Sequence, residues 1–277
     1  MDVVACPSSP ALAKRLADVL NAKLAKVEFR RFPDGELYAR VISDEDEHVV
    51  VGSINSNDDL VAITLAMEAL EGRILAVVPY MGYARQDRVF LEGEAVSIKA
   101  VARLLESYAE SVVTVNIHSE AAASHFRRLR NVDAMPLIGK FYGSDVVMLS
   151  PDRGSLERVK IAAEHAGCEW DYLEKKRIDA ERVEISPKKV SVEGKKVVIV
   201  DDIVSTGGTV MEAARHLFNL GAEEVEVACV HAVLASFAAV RILSSGIKDI
   251  VATDTVECVF SRISVARSIA EELSELL

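Results

Sequence analysis

The stretch Lys196–Val210, KVVIVDDIVSTGGTV, combines a buried strand, an acid pair and a glycine-rich turn. Its β-branched run, Val197–Val200, predicts a strand covered on both faces. The run leads into Asp201 and Asp202, then into Ser205-Thr206-Gly207-Gly208-Thr209, which opens a helix predicted to reach about Leu220. Parallel α/β sheets bind ligands in the crevice outside the carboxyl ends of their strands. Backbone N–H groups of such a loop and of the following helix start converge on one spot, which suits a phosphate. The hydroxyls of Ser205, Thr206 and Thr209 add donors, and Gly207 and Gly208 let the backbone approach a ligand closely. Carboxylates do not favour a phosphate, so Asp201 and Asp202 are expected to face hydroxyl groups or a metal. The combination fits a sugar phosphate better than a bare nucleotide. No Gly-Lys-Ser/Thr follows the glycines, so this is not an ATPase P-loop. A capped strand–helix turn is the plain alternative, and it leaves the paired acids without a role.

Outward from this segment the chain alternates short apolar runs with amphipathic helices, which predicts mostly parallel sheets flanked by helices. In the first half, strands are expected at Val3–Cys6, His48–Gly52, Ile74–Val78 and Val112–Ile117. Ser9 and Pro10 open a helix whose apolar stripe is Leu12, Leu16, Val19, Leu20 and Leu24. Further helices are expected at Leu60–Leu70 and Ile98–Leu105. In the second half, strands are expected at Val146–Leu149, Trp170–Leu173, Val225–Val230 and Ile250–Thr253. Helices fall at Leu156–Ala166, closed by Gly167, and at about Ser236–Ser245, closed by Gly246. Arg177–Gly194 is polar and unpatterned and reads as a mobile excursion.

The 277 residues carry 32 Lys+Arg against 43 Asp+Glu, a net charge of −11, which disfavours nucleic-acid and anionic-membrane binding. A local positive pocket for a small anion remains compatible with that balance. No apolar run of ~20 residues is present to span a membrane. MDVVACPSSP lacks the basic start of a signal peptide, so a cytoplasmic protein is expected. Cys6, Cys168, Cys229 and Cys258 form no C-x-x-C pair and read as free, mostly buried thiols.

The loop resembles the phosphoribosyl pyrophosphate (PRPP) binding loop of type I phosphoribosyltransferases and of ribose-phosphate pyrophosphokinases. Further segments resemble the pyrophosphokinases. Arg31–Val41, RFPDGELYARV, is similar to the family's F-x-D-G-E segment. Pro79–Arg88, PYMGYARQDR, carries its R-Q-D element, and Val115–Ser119, VNIHS, and Ser150–Ser155, SPDRGS, match two more. Glu174–Arg177, EKKR, is similar to the K-x-R pair at the root of a catalytic loop. The C-terminal stretch around Val230-His231-Ala232, Ile250–Thr255 and Ile263–Ala266 also matches, so the resemblance covers nearly the whole chain, and its short length is closest to archaeal-type members. Two departures stand out: Asn116 where many relatives carry Asp, and Ser155 where they carry a smaller residue.

The resemblance implies two phosphoribosyltransferase-like α/β domains, each a mostly parallel sheet flanked by helices. Residues 1–142 would bind ATP, with the tail 263–277 packing back on them, and residues 143–262 would bind ribose 5-phosphate. It further implies ATP contacts at Phe32, Asp34, Glu36, Arg85, Gln86 and Asp87, with Phe32 stacking on adenine, commonly in a neighbouring subunit. Ser205, Thr206, Gly207, Gly208 and Thr209 would hold the 5-phosphate, and Asp201 and Asp202 the ribose hydroxyls. His118 and Asp152 would contact Mg²⁺. Lys175 and Arg177 would be catalytic, with Lys176 as the competing register. The implied activity is diphosphoryl transfer from ATP to ribose 5-phosphate in a homodimer or higher even oligomer. A PRPP-consuming transferase and a catalytically silent regulatory subunit are the alternatives.

Overall fold

The computed structural model describes residues 1–177 and 183–277. The chain divides into two units. The first is Met1–Asp133 with Thr255–Glu257 and Ser264–Leu277; the second is Ala134–Asp254 with Cys258–Ile263.

The first unit contains β1 (Asp2–Ala5), α1 (Pro10–Val19), β2 (Lys23–Leu24), β3 (Lys26–Arg31), β4 (Leu37–Ile42), β5 (Glu47–Val51), α2 (Asn57–Glu68), β6 (Arg73–Val78), α3 (Ser97–Leu105), β7 (Ser111–Val115), α4 (Glu120–Ala123) and β8 (Leu129–Val132). Its parallel sheet has the order β2-β1-β5-β6-β7-β8, while β3 and β4 form a separate antiparallel hairpin. β5 to β7 are buried nearly throughout, which is why they read as continuous apolar runs. α1 stops at Val19, so Leu24 leaves the expected stripe and sits exposed in β2. Ser9 begins α1, but its Oγ accepts from Ser53 N at 3.0 Å and not from the helix. The N–H of Leu12 is met by Glu257 Oε1 at 2.7 Å.

The second unit contains α5 (Met135–Tyr142), β9 (Val147–Ser150), α6 (Leu156–Ala166), β10 (Glu169–Arg177), β11 (Val183–Pro187), β12 (Lys196–Val204), α7 (Gly208–Asn219), β13 (Glu224–Ala232), α8 (Ala238–Ser244), β14 (Ile250–Thr253) and β15 (Ser261–Ile263). The last helix, α9 (Ala266–Ser274), lies in the first unit and packs on α1. The second sheet has the order β11-β10-β9-β12-β13-β14-β15. β9 has β10 on one side and β12 on the other, both parallel to it. The chain therefore leaves β9 in one direction and returns on its far side, which makes the β9/β12 boundary a topological switch point. Pro151 and Ser205 begin the loops at its carboxyl edge.

The line between the units falls at Asp133/Ala134, ahead of the expected boundary at residue 142. The cause is α5, which packs on α6 so closely that a Cβ on Gly139 would lie 2.0 Å from the carbonyl oxygen of Ala162. Val183–Pro187, inside the segment expected to be a mobile excursion, pairs antiparallel with β10, with Arg177 opposite Val183 and Leu173 opposite Pro187. The chain after it is tied down by the buried Asp171, whose Oδ2 accepts from Val190 N at 3.1 Å. No helix among the described residues is long and apolar enough to cross a membrane. All four cysteines are free, and burial pushes the Cys6 thiol up to about 12.

Candidate active site

In the second unit β12 does not end at Val200. It pairs with β13 as far as Val204–Ala232, so Asp201 and Asp202 are strand residues. Strand geometry fixes their backbone, and the neighbouring loop fixes their side chains. Asp201 Oδ1 accepts from Ser155 Oγ and from Asp202 N, each at 2.9 Å. Asp202 Oδ2 lies 3.2 Å from Arg158 Nη2. Burial, and then the adjacent Asp202, push the Asp201 carboxyl up to about 7.

The next turn starts α7. Gly207 takes a left-handed φ of +78°, and a Cβ there would meet Ile242 Cδ1 and Cγ1 at 2.8 Å. Gly208 has nothing within 4 Å of an added Cβ, so the backbone at the helix start faces open space. Ser205 is half-buried, and Thr206 and Thr209 are exposed. The turn is braced by Arg241 Nη2, which donates to Thr206 O at 2.7 Å. Beside it, Leu234, Ser236 and Phe237 all hold positive φ, and Leu234 N donates to Val204 O at 3.0 Å. Non-glycine residues so held store backbone strain, which collects at ligand sites. Across the switch point, Asp152 is exposed, and its Oδ1 accepts from Gly154 N at 2.7 Å and Ser155 N at 3.3 Å.

In the first unit, the loops after β6 and β7 are tied together. Asp87 is held by Ser119 Oγ at 2.6 Å, and its carbonyl oxygen by His125 Nε2 at 2.8 Å. The Ser119 hydrogen bond, and then the charge of Arg88, hold the Asp87 carboxyl below the usual range. Asp87 thus braces the R-Q-D turn against the VNIHS loop. Gln86 Nε2 donates to Glu94 Oε2 at 3.2 Å, and the same oxygen accepts from the N–H groups of Phe90 and Leu91. Arg85 is exposed, with no hydrogen bond or ion pair among the described residues. Asn116, at φ +38°, donates to Asp133 Oδ1 at 2.8 Å, and His118 follows it half-buried.

The hairpin presents its own cluster. Phe32 N donates to Glu36 O and Gly35 N to Phe32 O, both at 2.9 Å, closing the turn expected at Pro33-Asp34-Gly35. Phe32 is 43% exposed, with Tyr38 edge-on at 6.0 Å and the Arg30 guanidinium 5.7 Å from its ring centre. Asp34 and Glu36 are exposed beside it. Lys175, Lys176 and Arg177 lie on β10, and their side chains fall outside the described residues. A cavity of about 560 Å³ lined by Arg73, Glu110 and Arg128 sits at the amino ends of β6 and β7, away from the loops that follow the strands. Its Arg73 is already paired with Glu110 and Glu47.

Residues 1–108 match the N-terminal domain of ribose phosphate pyrophosphokinase, and residues 134–260 match the phosphoribosyl transferase domain. Over 274 residues the chain is 65% identical to ribose-phosphate pyrophosphokinase 2 of Archaeoglobus fulgidus, covering 99% of this chain and 100% of that protein. The chain belongs to the ribose-phosphate pyrophosphokinase family. Ribose-phosphate pyrophosphokinase of Methanopyrus kandleri is 43% identical over 289 residues, with 100% and 99% of the two chains covered. The crystal structure of phosphoribosylpyrophosphate synthetase from Mycobacterium smegmatis superposes with a TM-score of 0.83 at 25% identity, over 99% of this chain and 98% of that one. Family membership agrees with the two phosphoribosyltransferase-like units and implies use of ATP with Mg²⁺.

Among the described residues no group of three or more His, Cys, Asp and Glu is placed to hold a metal. Mg²⁺ keeps several waters and binds one or two carboxylates plus substrate phosphates, so a single exposed carboxylate such as Asp152 fits it. Asp152 supplies the hard oxygen such an ion prefers, and the His118 imidazole is the less suited donor.

Sequence reasoning passed over Arg158 and Arg241 and treated Ser155 only as a departure. Ser155 and Arg158 are three apart at a helix start, a spacing that places both on one face. That signal was available; Arg241 had none.

Proposed function

We infer that the chain is a ribose-phosphate diphosphokinase, transferring the diphosphoryl group of ATP to O1 of ribose 5-phosphate. O1 bonds to the β-phosphorus, the bond from that phosphorus to the α,β-bridging oxygen breaks, and AMP leaves with that oxygen. The O1 proton passes to solvent. The observation that carries this reading is the acid pair and open helix-start cradle at the second unit's switch point, within a chain 65% identical along its length to a ribose-phosphate pyrophosphokinase.

Phosphoryl transfer needs in-line placement and charge neutralisation more than covalent chemistry. Ser205–Thr209 hold the 5-phosphate through backbone N–H groups and hydroxyls, and Asp201 and Asp202 accept from the ribose hydroxyls, which fixes O1. Phe32 stacks on adenine, Asp34 and Glu36 accept from its amino group, and Arg85 and Gln86 bind the nucleotide. Asp87 also contacts the nucleotide, from a turn that it braces against the VNIHS loop. Lys175 and Arg177 stabilise the charge that develops on the transferring group. Asp152 in the second unit and His118 in the first would each contact Mg²⁺, which when bound would supply positive charge to phosphate oxygens. The hairpin serves a neighbouring copy, so the active form is a homodimer or a higher even oligomer.

The test is incubation with ATP, Mg²⁺ and ribose 5-phosphate, followed by quantitation of AMP. AMP that depends on the sugar is expected. AMP formation indifferent to the sugar, or none at all, overturns the reading.

A further inference from the structure

Two adjacent carboxylates drawn out of water are costly, and they need partners to hold a fixed orientation. The partners of this pair come from one helix start. Ser155 is 6% exposed, and its Oγ donates to Asp201 Oδ1 at 2.9 Å. Arg158, one turn further along α6, brings Nη2 to 3.2 Å from Asp202 Oδ2, and the Asp202 side chain is 8% exposed. Each acid of the pair thus has its own partner, and both partners ride on the same rigid element. The same loop returns through Asp152, whose Oδ1 accepts from Ser155 N at 3.3 Å. The two strand ends at the switch point are therefore cross-braced through side chains before any ligand arrives.

We infer that Ser155 and Arg158 are positioning residues for the pentose: each fixes one carboxylate of the Asp201–Asp202 pair in the orientation that receives a sugar hydroxyl. The inference rests on the proposed ribose 5-phosphate reading of this site. A carboxylate has two oxygens and about four lone-pair positions, so a hydrogen bond from Ser155 or an ion pair with Arg158 leaves each acid capacity for a hydroxyl donor. Arg158 suits the task because its fixed positive charge lies at ion-pair distance from a nearly buried carboxylate. Neither residue touches the nucleotide in this reading, so their loss is felt at the sugar.

The experiment is a pair of double-mutant cycles read in steady-state kinetics. Arg158→Met is expected to raise KM for ribose 5-phosphate by roughly tenfold to a hundredfold, because small misplacements of a positioned group cost that much. KM for ATP stays within about twofold. Arg158→Lys keeps the charge and recovers part of the loss. Once Asp202→Asn is present, Arg158→Met adds little further, because its only partner in the pair has gone. Ser155→Ala with Asp201→Asn forms the second cycle, and it serves if Arg158→Met does not fold. Additive effects in the cycle that folds, or KM values for both substrates moving together, overturn the inference while leaving the activity in place. A wild-type chain without sugar-dependent AMP overturns the proposed function itself, which separates the two failures.

Discussion

Gly207→Ala probes the left-handed backbone and the close packing at the start of α7. The φ of +78° costs an L-residue about 1–2 kcal/mol. The new methyl also meets Ile242 Cδ1 and Cγ1 at 2.8 Å, and overpacking of that kind costs about 1–3 kcal/mol. The sum is a loss of roughly 2–5 kcal/mol, read as a lower midpoint in urea unfolding at unchanged slope. Ile242→Ala removes both clashing atoms, so in the double variant the overpacking part disappears and the conformational part remains. The cycle should therefore show a favourable coupling of about 1–3 kcal/mol. Gly208→Ala is the control, since nothing lies within 4 Å of its added methyl and its φ is not left-handed. Its stability should stay within about 0.5 kcal/mol of wild type. If the cradle binds the 5-phosphate, KM for ribose 5-phosphate nevertheless rises, because the methyl intrudes where the ester sits. Equal destabilisation by the two alanines, or no coupling between positions 207 and 242, would refute the reasoning.

Other outcomes follow from the same structure. Arg177→Ala should lower kcat by ~10³-fold or more with little change in KM for ribose 5-phosphate, measured by AMP release, and an effect confined to KM contradicts its role. The raised Asp201 carboxyl makes the folded chain bind a proton that the unfolded chain releases at lower pH. That contribution to stability is full below the ordinary carboxylate range, falls as pH rises to about 7 and is then flat, so Asp201→Asn should flatten this fall in urea titrations between pH 4 and 8. Sedimentation should find an even oligomer, and a Phe32→Ala chain mixed with an Arg177→Ala chain should recover activity. A monomer with full turnover would contradict the shared adenine site.

Much of the fold was legible because buried parallel strands leave unbroken apolar runs. α6 and β14 have the residue limits that the sequence implied. The acids were legible as a pair, but their place inside β12 was not. Asp is a poor strand former, and what holds it there is pairing with β13 plus Ser155 and Arg158, over forty residues away in sequence. β11 escaped notice because it is an antiparallel edge strand, polar and closed by a proline, which edges tolerate. In the first unit the hydrogen bond from Ser119 to Asp87 escaped notice, because that partner is set by tertiary packing and invisible to a local motif.

The return of Thr255–Glu257 and α9 to the first unit bears on biosynthesis. α9 buries Ala266, Ile269, Ala270 and Leu273, Glu257 caps α1, and the carbonyl of Leu276 accepts from Arg73 Nη2 at 2.6 Å. A ribosome emits Met1–Asp133 first, yet that unit waits for the final turns of polypeptide to seal it, whereas the second unit is complete once Ile263 has emerged. The half translated earliest is thus the half finished last. A nascent chain halted before residue 264 would carry a closed second unit and an open first one, with the apolar side of α1 left for a chaperone to shield.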